Sequence, residues 1–533
     1  MSTAQTAASP ALWRPLRVPI FRKLLVADVL SDIGTFMQSV GAAWLMVSFG
    51  VGPMFLALTQ TASSLPFFVL ALPAGSIGDI VDRRKLILVT EAWMVSVAVL
   101  LAALTMLGLM SPWLLLALTF AISAGDAIET PTWRAILPEL VSRDDLASAS
   151  ALNGIEFNLA RAVGPALAGA LIAVAGVGPA FAVNALSFVG VIVVVARWKR
   201  PPRARTAPVE TMRGATVAAL RYLRYSPTIR GLILRSGIVM FFASAVLALL
   251  PAVAQRASGT SLGYGFLLGC FGAGAICGAL VMQPARARWS NEIVASAAVA
   301  ILGVTIVVTG DSRAMAALGV VLLVGGSAWI IFISLVSALV QSLAPDWVRA
   351  RVLAMFMLVF QGGLAAGSAL WGAIGERAGI ETALLYAGFG TAVTAALGLA
   401  WRVPDAPADV SPWNHWRMPT LVGDVGPALE DGPVLVAVEY TVGPEQAAEF
   451  VAAMHQYQRI RRRDGASRWG IYQDTEVPDR YVETFVVQSW GEHLRQHARQ
   501  TKADRQLEER IHGCVRGDPK VQHLIYARPR PRG

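Results

Sequence analysis

The chain has 533 residues, of which 55% are hydrophobic and 15% charged, with a mean hydropathy of +0.55. Too little polar surface is present to cover a globule of that size in water, so an ordinary soluble fold is excluded and a bilayer is indicated. The net charge of +10 would suggest nucleic acid in a soluble protein, but here the basic residues gather in short loops between apolar runs, the positive-inside pattern, and no nucleic-acid partner is expected.

The polar start, 1–21, runs into Arg22 and Lys23 without a small-residue cleavage site, and is expected to stay uncleaved in the cytoplasm. Apolar runs long enough to cross a bilayer then predict spans at 22–49, 54–80, 85–109, 113–136, 147–175 and 178–197, and again at 230–255, 262–283, 291–309, 314–343, 350–375 and 380–401. The prediction is an all-α membrane protein of twelve helices in two six-helix bundles, 22–197 and 230–402, joined by a basic cytoplasmic linker, 198–229. Alternate loops carry Arg83 to Lys85, Arg143, Arg286 with Arg288, and Arg349 with Arg351, which places both termini in the cytoplasm. Gly164 and Gly169 share their spacing with Gly367 and Gly372, each pair following a loop with a proline, an acid and an arginine. Such a weak six-span repeat suits a transporter whose halves rock about a substrate site near the midplane.

After a Pro- and Trp-rich linker, 403–432, the composition changes. Residues 433–530 read as β-α-β-β-α-β, with strands near 434–442, 468–474, 480–489 and 521–527 and helices near 445–463 and 490–511, a small α+β ferredoxin-like cytoplasmic domain. His493 and His497 stand four apart on the second helix, but His523 is far along the chain, so no metal site is assigned. Cys270, Cys277 and Cys514 form neither a disulfide framework nor a metal spacing.

Ionisable residues inside spans are costly and must pair, face water or bind a proton. Asp28 and Asp32 are four apart on one helical face, and Asp126 and Glu129 are three apart on another. Glu156 and Arg161, five apart, form a less ideal pair. These six are the candidates for substrate or proton coupling, with two structural alternatives: Glu129 paired to Arg134, and Glu156 and Arg161 in an interhelical ion pair. Gln38, Trp44, Asn158, Phe241, Phe242, Trp329, Phe332 and Gln361 are candidates for contact with a bulky amphiphilic substrate. No catalytic constellation and no phosphate-binding glycine loop is present, so neither an enzyme nor direct ATP drive is expected, and no cofactor is assigned.

The turn Gly75-Ser-Ile-Gly-Asp79-Ile-Val-Asp-Arg83-Arg84-Lys85 resembles the signature between the second and third helices of the major facilitator superfamily, matching at Gly75, Asp79, Arg83 and Arg84, with Asp82 where glycine is usual. Gly164-Pro165 through Gly169 is similar to the glycine-proline packing motif of its drug and proton antiporters. Within the superfamily the likeness is to the enterobactin-exporter-like, transmembrane secretion effector group, over about residues 15–405, carried by Pro131, Leu140-Val141, Arg161, Gly164-Pro165 and Val348-Arg349-Ala-Arg351.

The resemblance implies a cavity lined by spans 1, 4, 7 and 10, and a charged latch joining the ends of spans 2, 4 and 11. It also implies secondary export of a siderophore or a drug-like amphiphile from a bacterial cytoplasmic membrane, by alternating access and proton antiport. Ala121 replaces an arginine that such antiporters often carry in span 4. The tail is similar to the dimeric α+β barrel domains of antibiotic-biosynthesis monooxygenases, and could pair two copies of the chain. The alternative from another class is a membrane-anchored sensor or bifunctional protein whose tail binds or oxidises a small ligand.

Overall fold

A computed structural model describes residues 12–198, 212–406, 409–411, 413 and 430–527. The basic linker from 199 to 211 and most of the Pro- and Trp-rich linker lie outside the described residues, as do the side chains of Gly75, Asp79 and Arg143. The first six long helices are α1 (Pro19–Ser48), α2 (Pro53–Ile80), α3 (Arg83–Met106), α4 (Pro112–Leu140), α5 (Leu146–Ala175) and α6 (Val177–Arg197). A helix that was not expected, α7 (Met212–Tyr225), follows inside the linker. The second set is α8 (Pro227–Ala257), α9 (Ser261–Arg288), α10 (Asn291–Asp311), α11 (Met315–Leu343), α12 (Asp346–Ala378) and α13 (Ile380–Val393), with a short α14 (Leu397–Ala400).

Among the described residues, eleven stretches are long and apolar enough to cross a membrane. The 30-residue α1 is comparable in length but more polar, carrying Arg22, Lys23, Asp28 and Asp32. The final span is not one helix: Thr391 and Thr394 turn their hydroxyls back onto the carbonyls of Ala387 and Thr391, at 2.8 and 2.6 Å, and the chain tightens into a 3-10 turn at Thr394–Ala396.

Polar residues at the turns decide where the helices begin. Asp82 caps α3 by accepting from Lys85 N at 3.0 Å, while Thr260 and Ser290 cap α9 and α10. Between α5 and α6 the chain reverses at Gly176 alone, whose φ of +82° a side chain would strain.

The chain divides into two compact units, the first built from α1–α6, Ile233–Val336 and Ala354–Asp405. In it the glycines that echo one another make matching contacts. A Cβ on Gly164 of α5 would lie 2.7 Å from Phe36 Cβ and 3.1 Å from the Ile33 carbonyl of α1; one on Gly367 of α12 would strike the Phe241 carbonyl of α8. Five residues on in each case, Gly169 meets the backbone of Ser261 and Gly265 on α9, and Gly372 meets Met54 and Ala57 on α2. Each repeat thus uses its first glycine to pack within its own half and its second to pack across to the other. Small residues are the means by which helices approach in hydrocarbon, where no hydrophobic drive brings them together.

The second unit contains α7 with the chain to Leu232, Ser337–Leu353, and the C-terminal sheet with its helices. Strands β1 (Val434–Thr441), β2 (Arg468–Gln473), β3 (Arg480–Val487) and β4 (Lys520–Ile525) form one antiparallel sheet in the order β2-β3-β1-β4. Helices α15 (Ala447–Asp464), α16 (Trp490–Ala498) and α17 (Lys502–Gly513) accompany it. The single helix expected at 490–511 is two, because Thr501 and Asp504 form a capping box that restarts the chain as α17. Val434, Val436 and Val438 of β1 alternate into a core with Phe450, Met454 and Phe485.

Gly169→Val places branched carbons where Ser261 O stands 2.9 Å from the Cβ position and Gly265 Cα 3.1 Å. It is expected to cost about 1–3 kcal/mol, read as a lower thermal midpoint in detergent. Gly154→Ala, with nothing within 4 Å of its Cβ, is expected to leave the midpoint unchanged or raise it slightly.

Candidate functional site

Six carboxyl groups from four helices converge in the first half. Asp28 and Asp32 come from α1, Asp126 and Glu129 from α4, Glu156 from α5, and Glu91 from α3. Glu91, Glu129 and Glu156 are buried, at 3%, 6% and 5% exposure. Thr90 Oγ1 donates to Glu129 Oε2 at 2.5 Å, Thr130 to Asp126 Oδ1 at 3.0 Å, and Trp133 Nε1 to Asp28 Oδ2 at 3.2 Å. Two contacts join acid to acid, Asp32 with Glu156 and Glu91 with Glu129. A hydrogen bond between two carboxyl groups requires one proton, because an ionised carboxylate can only accept.

The packing of α1 on α5 sets this arrangement, since Gly164 fixes the level at which Ile33 and Phe36 lie. Five of the six sequence candidates therefore meet; Arg161 does not join them. Its guanidinium lies 5.8 Å from the centre of the Phe271 ring of α9, while Glu156 turns to Asp32, so the expected Glu156–Arg161 ion pair is replaced by an acid–acid contact and a cation–π contact. The expected Glu129–Arg134 pair also gives way: Glu129 takes the Thr90 hydroxyl, and the acid nearest in charge to Arg134 is Asp126. Glu91, not among the sequence candidates, interrupts the apolar run of α3, and that interruption is its signal in the sequence.

Other candidates belong to packing. Gln38 accepts from Asn184, Trp44 stacks on Tyr264 at 6.3 Å, Trp329 meets Phe271 at 5.8 Å, and Phe241 and Phe242 gather around Trp371. Pro165 lies inside α5, its carbonyl 2.6 Å from where a Cβ of Gly265 would stand.

The charged turn after α2 binds α3 to two neighbours. Arg83 donates to the Ala135 carbonyl at 2.9 Å and Glu139 Oε1 at 2.8 Å on α4, and Arg84 to the Val195 and Ala196 carbonyls on α6 at 3.0 and 2.6 Å. These bonds stay within the first six helices. The second half has its own charged knot, unforeseen from the sequence. Arg235 of α8, fully buried, grips Glu292 of α10 at 2.8 and 3.0 Å, and Glu292 accepts from Val403 N at 2.7 Å. Arg84 at the start of α3 and Glu292 at the start of α10 thus tie equivalent helices to the end of each half.

In the second unit, Glu483 is buried in the sheet yet fully served, by Arg461 at 2.9 and 3.0 Å, Trp469 Nε1 at 2.8 Å and Tyr440 at 3.1 Å. Glu492 accepts from Arg499 at 2.7 and 3.2 Å and from Arg221 of α7 at 2.8 Å, and the Arg499 guanidinium lies 4.5 Å over Trp347 of α12. Burial opposes ionisation of Glu492, but these two guanidinium groups prevail and hold its carboxyl at about 2.

Because that value lies below the ordinary one of 4.5, the attachment is fully favoured above pH 4.5 and lost as pH falls toward 2. Glu492→Gln is expected to increase hydrogen exchange in α16 and α7 of the full chain at pH 7, and to flatten the decline in thermal midpoint on acidification below pH 4.5. Unchanged exchange would remove Glu492 from the clamp.

A model of the family described as transmembrane secretion effector matches residues 10–531. The chain is 25% identical over 397 residues to an enterobactin exporter of Citrobacter koseri, covering 71% of this chain and 91% of that one. It is 26% identical over 164 residues to the staphyloferrin A transporter of Staphylococcus aureus, covering 30% of this chain and 41% of that one. A bacterial homologue of the human lysosomal transporter Spinster, crystallised inward-facing and occupied, aligns with a TM-score of 0.59 at 14% identity, covering 73% of this chain and 98% of that chain, a likeness of fold alone.

Proposed function

Since the chain belongs to the transmembrane secretion effector family of major facilitator transporters, a family of multi-pass membrane proteins and not of enzymes, we propose that it exports a small organic molecule by alternating access, driven by inward proton flow. The observation that carries this reading is the carboxyl cluster of Asp28, Asp32, Glu91, Asp126, Glu129 and Glu156. Acids in hydrocarbon are retained where they serve a proton or ion pathway, and two acid–acid contacts give protons a place to bind. Coupling follows if the cluster is protonated from one side of the membrane and releases from the other as the halves rock on the α5–α9 and α2–α12 crossings.

The cargo class is a siderophore or a comparable amphiphile; the enterobactin exporter and the staphyloferrin A transporter support the former. Arg161, half-buried against Phe271 and with no carboxylate partner among the described residues, is suited to an anionic group on such a cargo. Gly75, Asp79, Arg83 and Arg84 form the gating latch in this reading, and the basic loops face the cytoplasm of a bacterium along with both termini. The β2-β3-β1-β4 order supports a ferredoxin-like tail, which could pair two chains. The clamp of Glu492 on Arg221 and Arg499 favours a regulatory tail over an oxidising one.

The test is efflux from proteoliposomes under an imposed pH gradient, with a catecholate siderophore and a cationic dye as cargoes. Asp32→Asn is expected to reduce gradient-driven efflux roughly tenfold or more, while cargo exchange without a gradient persists. Wild-type protein that moves neither cargo would sink the export reading; equal gradient-driven rates would remove Asp32 from coupling.

A further inference from the structure

The C-terminal unit holds a histidine cluster that the transport cycle does not use. His493 and His497 share a face of α16, with their Nε2 atoms 3.1 Å apart. Strand β4 brings in His523, whose ring centre is 4.8 Å from that of His493. One ring nitrogen from each of the three lies within 4.8 Å of the others. Trp490 forms one wall, its ring 5.5 Å from His493 and 5.8 Å from His523.

Packing alone accounts poorly for this trio. Nearby Glu483, also buried, has a donor for each oxygen, whereas His493, 1% exposed, turns its Nε2 onto another imidazole nitrogen. Where two imidazole nitrogens face each other, at most one hydrogen bond forms and the third ring is left over. His497 and His523 are partly exposed, so the cluster opens to solvent on one side.

We propose that His493, His497 and His523 bind a divalent first-row transition-metal ion. Imidazole nitrogen is the ligand these ions share. Ligands at about 2.0–2.1 Å from zinc stand roughly 3.4 Å apart in a tetrahedron, so the 3.1 Å pair is already near that spacing, and the His523 nitrogen has to close from within 4.8 Å. Three protein ligands leave a coordination position for water or an exogenous group. The nearby positive charge of Arg461 is already matched by its paired bonds to Glu483. The residue immediately before His493 is Glu492, held by Arg221 of α7 and by Arg499, so occupancy bears directly on the helix that joins the sheet to α7.

The experiment uses the full chain in detergent, without a histidine tag and stripped of metal by chelator. It is dialysed against Zn²⁺, and anaerobically against Fe²⁺, with bound metal counted by mass spectrometry. One ion per chain is expected, accompanied by a rise in thermal midpoint. His497→Ala and His523→Ala are each expected to weaken binding by roughly 10–100-fold or more, and His455→Ala on the exposed side of α15 to leave it unchanged. Absence of a stoichiometric ion, or equal retention by both variants, overturns the site. Each variant's midpoint without metal guards against misfolding. If either falls, Co²⁺ absorption of the wild type decides: histidine-ligand-field bands support the site, and a spectrum of aqueous cobalt overturns it.

Discussion

Close approach of backbone to backbone is the constraint on which this molecule depends. In hydrocarbon one apolar helix gains little by leaving lipid for another, so association rests on contact that only small residues permit. The crossing of α5 on α9, where Gly169 and Gly265 lie against each other, joins the halves, and the crossing of α2 on α12 repeats it at Gly372. The same two helices, α5 and α12, also fix the packing inside their halves through Gly164 and Gly367. A single helix in each repeat therefore connects the internal geometry of one half to its position against the other.

That geometry accounts for the carboxyl cluster. Glu156 sits on the helix that Gly164 anchors to α1, so the contact that packs the bundle also brings Glu156 to Asp32. The cluster differs in kind from the buried ion at Glu483, where four donors satisfy both oxygens and the charge is static. Among the acids of α1, α3, α4 and α5, the partners are hydroxyls, an indole and one another, with Arg134 near Asp126. Charge is handled differently again at the helix ends, where Arg83, Arg84, Arg235 and Glu292 staple neighbouring helices.

Much of this was legible in the sequence, and the misses have physical causes. Long apolar runs set the spans because the bilayer's thickness fixes their length. Acids on α1 and α4 were legible from their helical spacing, but Glu91 needed a rule applied to every span. The capping box of Thr501 and Asp504 is a local signal inside the 490–511 segment, whereas the burial of Ala218, Ala219 and Tyr222 on α7 depends on tertiary packing. No local signal marked Arg235 and Glu292 as partners, since 57 residues separate them.

By itself, then, the sequence determined the membrane class, the long apolar spans, the paired repeat and the strand order of the tail, because each depends on composition or on periodicity within one segment. Only tertiary structure decided which charges meet. Glu156 faces Asp32 and not Arg161, Glu129 takes Thr90 and not Arg134, and His523 joins His493 from across the sheet. Side-chain partners depend on the register between helices and strands distant in sequence, and that register is set by backbone contacts that no single segment encodes.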